Sequence, residues 1–510
     1  MTDVPGHTRS IIDPMYDAGI RLLHVGINSA CPLPSVPTFC RWRSPSGNDL
    51  LLVYQKDYGE DEVLPDGKTV VSINFTGDNH GPHSYERVKK IYADLRKRYP
   101  QAQLVGASFN DVARELLLIK KDLPVVTSEI GDTWIFGYGG APIRMAKFRA
   151  VSRLYSQWLN EGKIKKDSDV ALDFAAELGL IAEHTQGVDV KTHLRQWDKY
   201  DMDKFLKGRS EGVFSMAEAS WKEIDNYIDS AIAFLPASLQ KEAREVVAEV
   251  DKVKLEDNSK MKPMARKRWE QPIAGGMTLA GLSYQMFDGG DYDDFQNRYL
   301  RARYGWALDD LGKRGLKESH AVSVTLYAQT MAQSVRKEKK GTRIITELRF
   351  PENEKVDKRV YPERIQVNCF TTKNGKRSEV ALTIYGKPAV RLPESYWLSF
   401  TVPGIESVIA EKMGERVDLM DVVEKGNRQM HGIDRYVDLI TSGETIRISS
   451  KEAFLLNVGE AQGLNYSTNY PDKRKGVHFN LNNNLWGTNF SMWNEGSLTY
   501  HFVIETLSRK

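Results

Sequence analysis

Over the first 130 residues, short apolar runs alternate with amphipathic stretches. RLLHVGI (21–27), LLLVY (50–54), VVSINF (70–75), AQLVGA (102–107) and PVVT (124–127) have the length and β-branched content of strands. Between them, SYERVKKIYADLRKRY (84–99) places Val88, Ile91, Tyr92 and Leu95 on one helical face. SFNDVARELLLIKK (108–121) does the same, with Ser108 as its N-cap. The alternation predicts parallel strands joined by crossover helices, whose ligand site lies at the carboxyl ends of the strands. That rule singles out the loop at 76–83.

Beyond Ala146 the period changes. Amphipathic segments at 145–160, 168–184, 190–207, 216–233 and 238–253, separated by short polar breaks, predict a helix bundle. The basic stretch KVKLEDNSKMKPMARKRW (252–269) has little aromatic interleaving and reads as a solvated linker. Strand-like runs follow at 342–350, 364–372, 379–386, 396–402, 445–450 and 498–507, broken by Gly, Pro and Asn, as in β-sandwiches. The expected architecture is multidomain, α/β then α then β, with boundaries at 1–144, 145–255 and 256–510.

Composition narrows the function classes. With 71 Lys and Arg against 68 Asp and Glu, the net charge of +3 offers no excess to draw the whole chain onto nucleic acid or anionic lipid. No apolar run reaches the eighteen or so residues of a membrane span, so neither nucleic acid nor membrane is an expected partner. MTDVPGHTRS has neither a basic nor an apolar export region, which makes a cytoplasmic location the default. The three cysteines, Cys31, Cys40 and Cys369, spell neither a disulfide framework nor a Cys-rich zinc site. Any metal must be held by His and carboxylates. Self-association into a homo-oligomer is compatible with large sandwich surfaces.

Several segments carry candidate chemistry. Asp3-Val-Pro-Gly-His7 sets a carboxylate and an imidazole about a Pro-Gly turn, able to converge on a metal or a sugar hydroxyl, or simply to cap the next helix. Gly77-Asp78-Asn-His80-Gly-Pro sits between a strand and a helix, where catalytic groups or ordinary turn residues are expected. SEIGDTWIFGYG (128–139) joins Glu129, Asp132 and Trp134, a carboxylate and indole combination suited to sugars or to a buried turn. EHTQGVD (183–189) interrupts the helices with His184 and Asp189, and Gly187 as a helix end accounts for part of it. HFNLNNNLWGTNFSMW (478–493) reads as turn-making asparagines and packing tryptophans. Phosphate loops, dinucleotide fingerprints, nucleophile elbows and HExxH are all missing from the sequence.

Taken in this order, the segments resemble glycoside hydrolase family 38, the zinc-dependent retaining α-mannosidases, and a bacterial branch of it in which the terminal HFNLNNNLWGTNF recurs. The resemblance runs over nearly the whole chain and implies a (β/α) barrel, a helix bundle and large β-sandwiches. It implies that Asp3, in Asp-x-x-Gly-His, is nucleophile and metal ligand. Asp78 becomes the acid/base, Asp132 a metal ligand where the family has His, and His80 a further ligand. His7, Trp134, His184 and Asp189 become substrate-binding residues. The implied cofactor is a divalent cation, zinc in the family, and the implied partner a carbohydrate. The family's opening His-x-Asp does not occur in these 510 residues, so the barrel is expected to be partial, with Met1 internal to the family's barrel domain.

The expected activity is retaining hydrolysis of α-mannosides or related α-glycosides, by two carboxylates about 5–5.5 Å apart. Two alternatives stand beside it: a truncated, non-catalytic chain of the same superfamily, and a carbohydrate-binding or scaffolding protein that uses the C-terminal sandwiches.

Overall fold

In the computed structural model, the described residues are 1–77, 80–257 and 259–507. The Leu22–Ile27 and Asp49–Gln55 strands are buried almost throughout, as continuous apolar runs are when both faces of a sheet are covered. They lie within a five-stranded sheet ordered Thr2–Asp3, Leu22–Ile27, Asp49–Gln55, Phe39–Arg43, Val125–Val126. The first three run parallel. Phe39–Arg43 returns antiparallel beside Asp49–Gln55, and Val125–Val126 runs parallel to it.

This mixed, open sheet replaces the parallel staves of the expected barrel. The 70–75 run shortens to Val70–Ser72 and pairs with Asp61–Val63 in a separate ribbon. The 102–107 run is irregular and leaves Val105 69% exposed. Among the described residues no strand lies beside it to take its backbone hydrogen bonds, and apolar content alone does not make a strand. Both helices form, as Tyr85–Arg98 and Phe109–Leu118, but each fully buries only one side chain, Leu95 and Leu116.

The bundle follows its period. Pro142–Asn160, Asp169–Gly179, Ser215–Ala233 and Ala237–Asp251 pack Trp158, Phe174, Ile228, Ile232 and Leu239 into one core. The stretch expected as one helix over 190–207 is instead Val190–His193 and Met202–Ser210 with an irregular turn between. There the Arg391 guanidinium, reaching from the sandwich, donates to the carbonyls of Gln196 (2.7 Å) and Lys199 (3.3 Å). A side chain from another part of the chain thus satisfies backbone groups that a helix would have paired internally.

The C-terminal half holds two antiparallel sheets, of seven and ten strands among the described residues. Each expected strand is present within three residues of its predicted ends. Alternate residues such as Leu398, Phe400, Phe479, Phe502 and Ile504 fill the core, which continues without a break to Phe136, Phe205 and Trp221. Lys387 and Glu394, 2.5 Å apart, form an ion pair inside it. Cys31, Cys40 and Cys369 are free and buried. Among the described residues no helix is long and apolar enough to cross a membrane.

The terminal asparagines are not mainly turn-makers. Val477–Asn483 is a wholly buried strand. Asn483 donates to the Phe136 carbonyl (2.9 Å), and Asn484 donates to the carbonyls of Val390, Leu392 and Met492 at 2.9–3.0 Å. Gly139 is needed in the facing segment, since a Cβ there would lie 2.2 Å from the Asn483 amide nitrogen. Asn483 ties the 134–140 segment to the sandwich, and Asn484 ties the 390–392 and 492 backbone to the end of its own strand.

Candidate functional site

Asp3 pairs with Ile27 in the parallel ladder, which puts it at the carboxyl end of two adjacent strands. Its φ of +84° lies in the left-handed region, uncommon for a residue with a Cβ and typical of strained functional positions. Asn28, the residue just past the neighbouring strand, donates its amide Nδ2 to Asp3 Oδ1 at 2.9 Å, and the Tyr58 hydroxyl donates to the same oxygen at 2.5 Å. Tyr58 reaches this point because residue 26 is glycine: a Cβ there would lie 2.8 Å from the Asp57 carbonyl oxygen and the Tyr58 Cα.

The other oxygen, Oδ2, faces His184 Nε2 at 3.5 Å, and His184 Nδ1 lies 2.5 Å from Glu183 Oε1. An imidazole between two carboxylates has its charged form favoured: the hydrogen bond to Asp3, ahead of the opposing effect of burial, raises the His184 pKa. Burial by itself would raise the Asp3 carboxyl, but the hydrogen bonds from His184, Tyr58 and Asn28 together outweigh it. Asp3 is therefore held below its ordinary value and ionised near neutral pH. With its side chain 16% exposed, it remains within reach of a ligand.

Asp132 packs closely against Gly6, where a Cβ would come within 2.8 Å of the Asp132 Cβ. It is buried, and its carboxylate accepts from the Trp134 amide (3.0 Å) and the Tyr299 hydroxyl (3.0 and 3.2 Å). Burial, only partly offset by those bonds, pushes its pKa up to about 7. The Tyr299 hydroxyl also lies 3.4 Å from the buried Cys31 sulfur. Trp134 is buried as well, 6.4 Å from the His184 ring and 6.2 Å from Trp486 between centroids. It forms a floor behind His184 rather than an open stacking platform.

The remaining expected residues separate. His7 exchanges backbone hydrogen bonds with Ile130, and its Nε2 lies 3.0 Å from the Val4 carbonyl oxygen. Burial pushes its pKa down to about 4, so the ring is neutral and spent on its own turn. Glu129 is buried, accepts from the Thr8 hydroxyl and the Arg9 amide, and pairs with Lys412 at 2.8 Å. Asp189 caps the Val190–His193 helix through the Thr192 amide and pairs with Lys191, which also holds Asp310. His80 lies on an exposed loop beside Gly77. Asp78 lies outside the described residues. Asn28, Tyr58 and Tyr299 went unnoticed in the sequence, although the position of Asn28 immediately after a strand's carboxyl end was a usable signal.

A zinc ion takes three or more protein donors at about 2 Å. Among the described residues, no three His, Cys, Asp or Glu side chains group to hold a metal ion. Asp3 Oδ1 already accepts two hydrogen bonds, and the buried Asp132 carboxyl is engaged by Tyr299 and Trp134. This donor set does not fit the implied cation.

A family model described as "Domain of unknown function (DUF5054)" matches residues 139–270. No curated protein matches the sequence. Among solved structures, the chain is similar to an α-mannosidase from Enterococcus faecalis V583, with 9% identity, a TM-score of 0.53, and coverage of 99% of this chain and 74% of that one. A protein in the glycosyl hydrolase family 38 from Enterococcus faecalis aligns over 100% of this chain and 72% of its own, with 10% identity and a TM-score of 0.44. The first likeness establishes a fold like that of an α-mannosidase.

Proposed function

We propose that this chain is a retaining glycoside hydrolase acting on α-mannosides or related α-glycosides, with Asp3 as its nucleophile. The observation that carries the reading is the Asp3 carboxylate itself: strained in backbone, ionised, partly exposed, and held at the carboxyl edge of a parallel strand pair by Asn28, Tyr58 and His184. Fixing Oδ1 with two donors leaves Oδ2 as the oxygen to attack an anomeric carbon. His184, partly exposed and with its pKa raised by Asp3, orients that oxygen, and its charged form stabilises the carboxylate. The fold likeness supports carbohydrate as the substrate class.

The proton for the leaving oxygen is assigned to Asp78, on the family resemblance alone. No step is assigned to a metal, because the donor set among the described residues does not fit one. That misfit favours a second reading, a non-catalytic carbohydrate-binding chain of the same superfamily.

A panel of aryl α- and β-glycosides, run with added zinc and with a chelator, separates the two. Release of aglycone from an α-glycoside that falls at least about a hundredfold in Asp3→Ala is the expected result. An inactive wild-type chain on the entire panel in both conditions would overturn catalysis.

A further inference from the structure

The strand alternation in VHFNL (477–481) places Val477, Phe479 and Leu481 in the sandwich core and turns His478 and Asn480 to the opposite face. Register extends that face across the seven-stranded sheet: Tyr327, Ser283, Trp397 and Asn480 form one row, and Gly281, Ser399 and His478 the next. At the Phe136 end the face is covered by the 134–140 segment, through Asn483 and the Trp397–Phe136 ring contact. At the other end it floors a groove of about 560 Å³.

The groove's chemistry is specific. Its charged lining balances: Arg268 and Lys475 stand against Asp291 and Glu460, and Lys475 pairs with Glu460 at 2.7 Å. Its floor is preset, since Gln285 Oε1 accepts from Ser395 (3.0 Å) and the Trp397 indole (3.0 Å) while its Nε2 donates to the Ala461 carbonyl. Tyr327, 42% exposed, lines one side, with the Arg268 guanidinium stacked 4.0 Å over its ring. His478 is 7% exposed; its Nδ1 lies 2.8 Å from the Ser399 hydroxyl oxygen, and the Gly459 backbone lies against the ring. Burial lowers its pKa to about 4, so the ring is neutral.

We infer that this groove is a saccharide-binding subsite, separate from the Asp3 site, for a neutral oligosaccharide of two or three residues. Balanced charge gives an ionic ligand no advantage. Hydroxyl, amide and imidazole groups beside an exposed aromatic ring match the alternating polar rim and apolar face of a pyranose, and the volume falls in the range of small-ligand pockets. This inference does not depend on catalysis at Asp3.

The test is ligand-observed NMR titration of the full chain with α-linked mannotriose and with cellotriose, on wild type, Thr325→Trp, Tyr327→Ala and Asp3→Ala. Thr325 is exposed on the groove wall, so its substitution blocks the groove without touching the core; thermal melts verify that each variant is folded. The expected result is saturable binding of at least one trisaccharide, weakened at least about tenfold by Thr325→Trp and Tyr327→Ala and retained in Asp3→Ala. Binding of neither sugar, binding untouched by both groove variants, or binding lost in Asp3→Ala overturns the assignment.

Discussion

Asp3 Oδ2 and His184 Nε2 stand 3.5 Å apart, although 181 positions separate the two residues in the chain. One ends a two-residue strand at the start of the sheet. The other follows the 3-10 turn Leu180–Ala182 in the helical region. Their contact is where the α/β unit and the bundle meet in a single polar cluster.

That pair predicts a bell-shaped pH dependence. Asp3 is lowered from 3.8, so its share of stability is present above that value and is lost as pH falls through the depressed folded pKa. His184 is raised from 6.5, so its share is complete below that value and is lost as pH rises through the elevated folded pKa. The contribution is therefore complete between about pH 4 and pH 6.5. Difference melting between wild type and His184→Gln across pH 3–9 should show the widest gap in that window; a gap independent of pH would remove the ion pair from the account.

Asp132 has the opposite sign. Its buried carboxyl is raised from 3.8 to about 7, so the native state holds a proton that the unfolded chain has already released. Stability should decline as pH rises from about 4 to about 7, and Asp132→Asn, which keeps the shape and both oxygen-side partners within reach, should flatten that decline. Urea unfolding at pH 5 and pH 8 measures it. Equal pH slopes in the two proteins would contradict the burial argument.

Gly6→Ala tests a close approach rather than backbone freedom. The new Cβ would meet the Asp132 Cβ at 2.8 Å, its amide nitrogen at 3.0 Å and the Ile130 carbonyl oxygen at 3.3 Å. An overpacking cost of about 1–3 kcal/mol is expected. A melting temperature equal to that of wild type would mean the turn yields freely.

Asn484→Ala removes the single amide that donates to three buried carbonyls. A loss of about 1–3 kcal/mol in chemical denaturation follows from leaving them unpaired. Should the variant match wild type, the Asn484 amide would not be what holds these three carbonyls.

Much of the fold was legible in the chain. The C-terminal strands keep a period of two because one side meets the sandwich core, and the bundle helices keep a period of 3.6 because each buries one stripe. Asp3, His184 and the 128–139 segment were found by residue type and by position at element ends. The open, mixed order of the first sheet was not legible: apolar runs at 70–75 and 102–107 look like sheet strands locally, yet which strands become neighbours depends on contacts that no local pattern encodes. Trp134 shows the same limit, since an indole beside a carboxylate reads alike whether it faces a ligand or packs behind His184.

The sequence by itself determined the order of α/β, helical and β regions, the near-neutral net charge, and the residue types available for chemistry. Only the tertiary structure decided that Asn28 and Tyr58 join His184 around Asp3, that Asp132 turns to Tyr299, and that His7 closes on Val4. The reason is physical. Periodicity follows from burial of one face of a single element, whereas protonation and hydrogen bonding at a site depend on side chains brought from distant elements, whose distances are fixed only when the core packs.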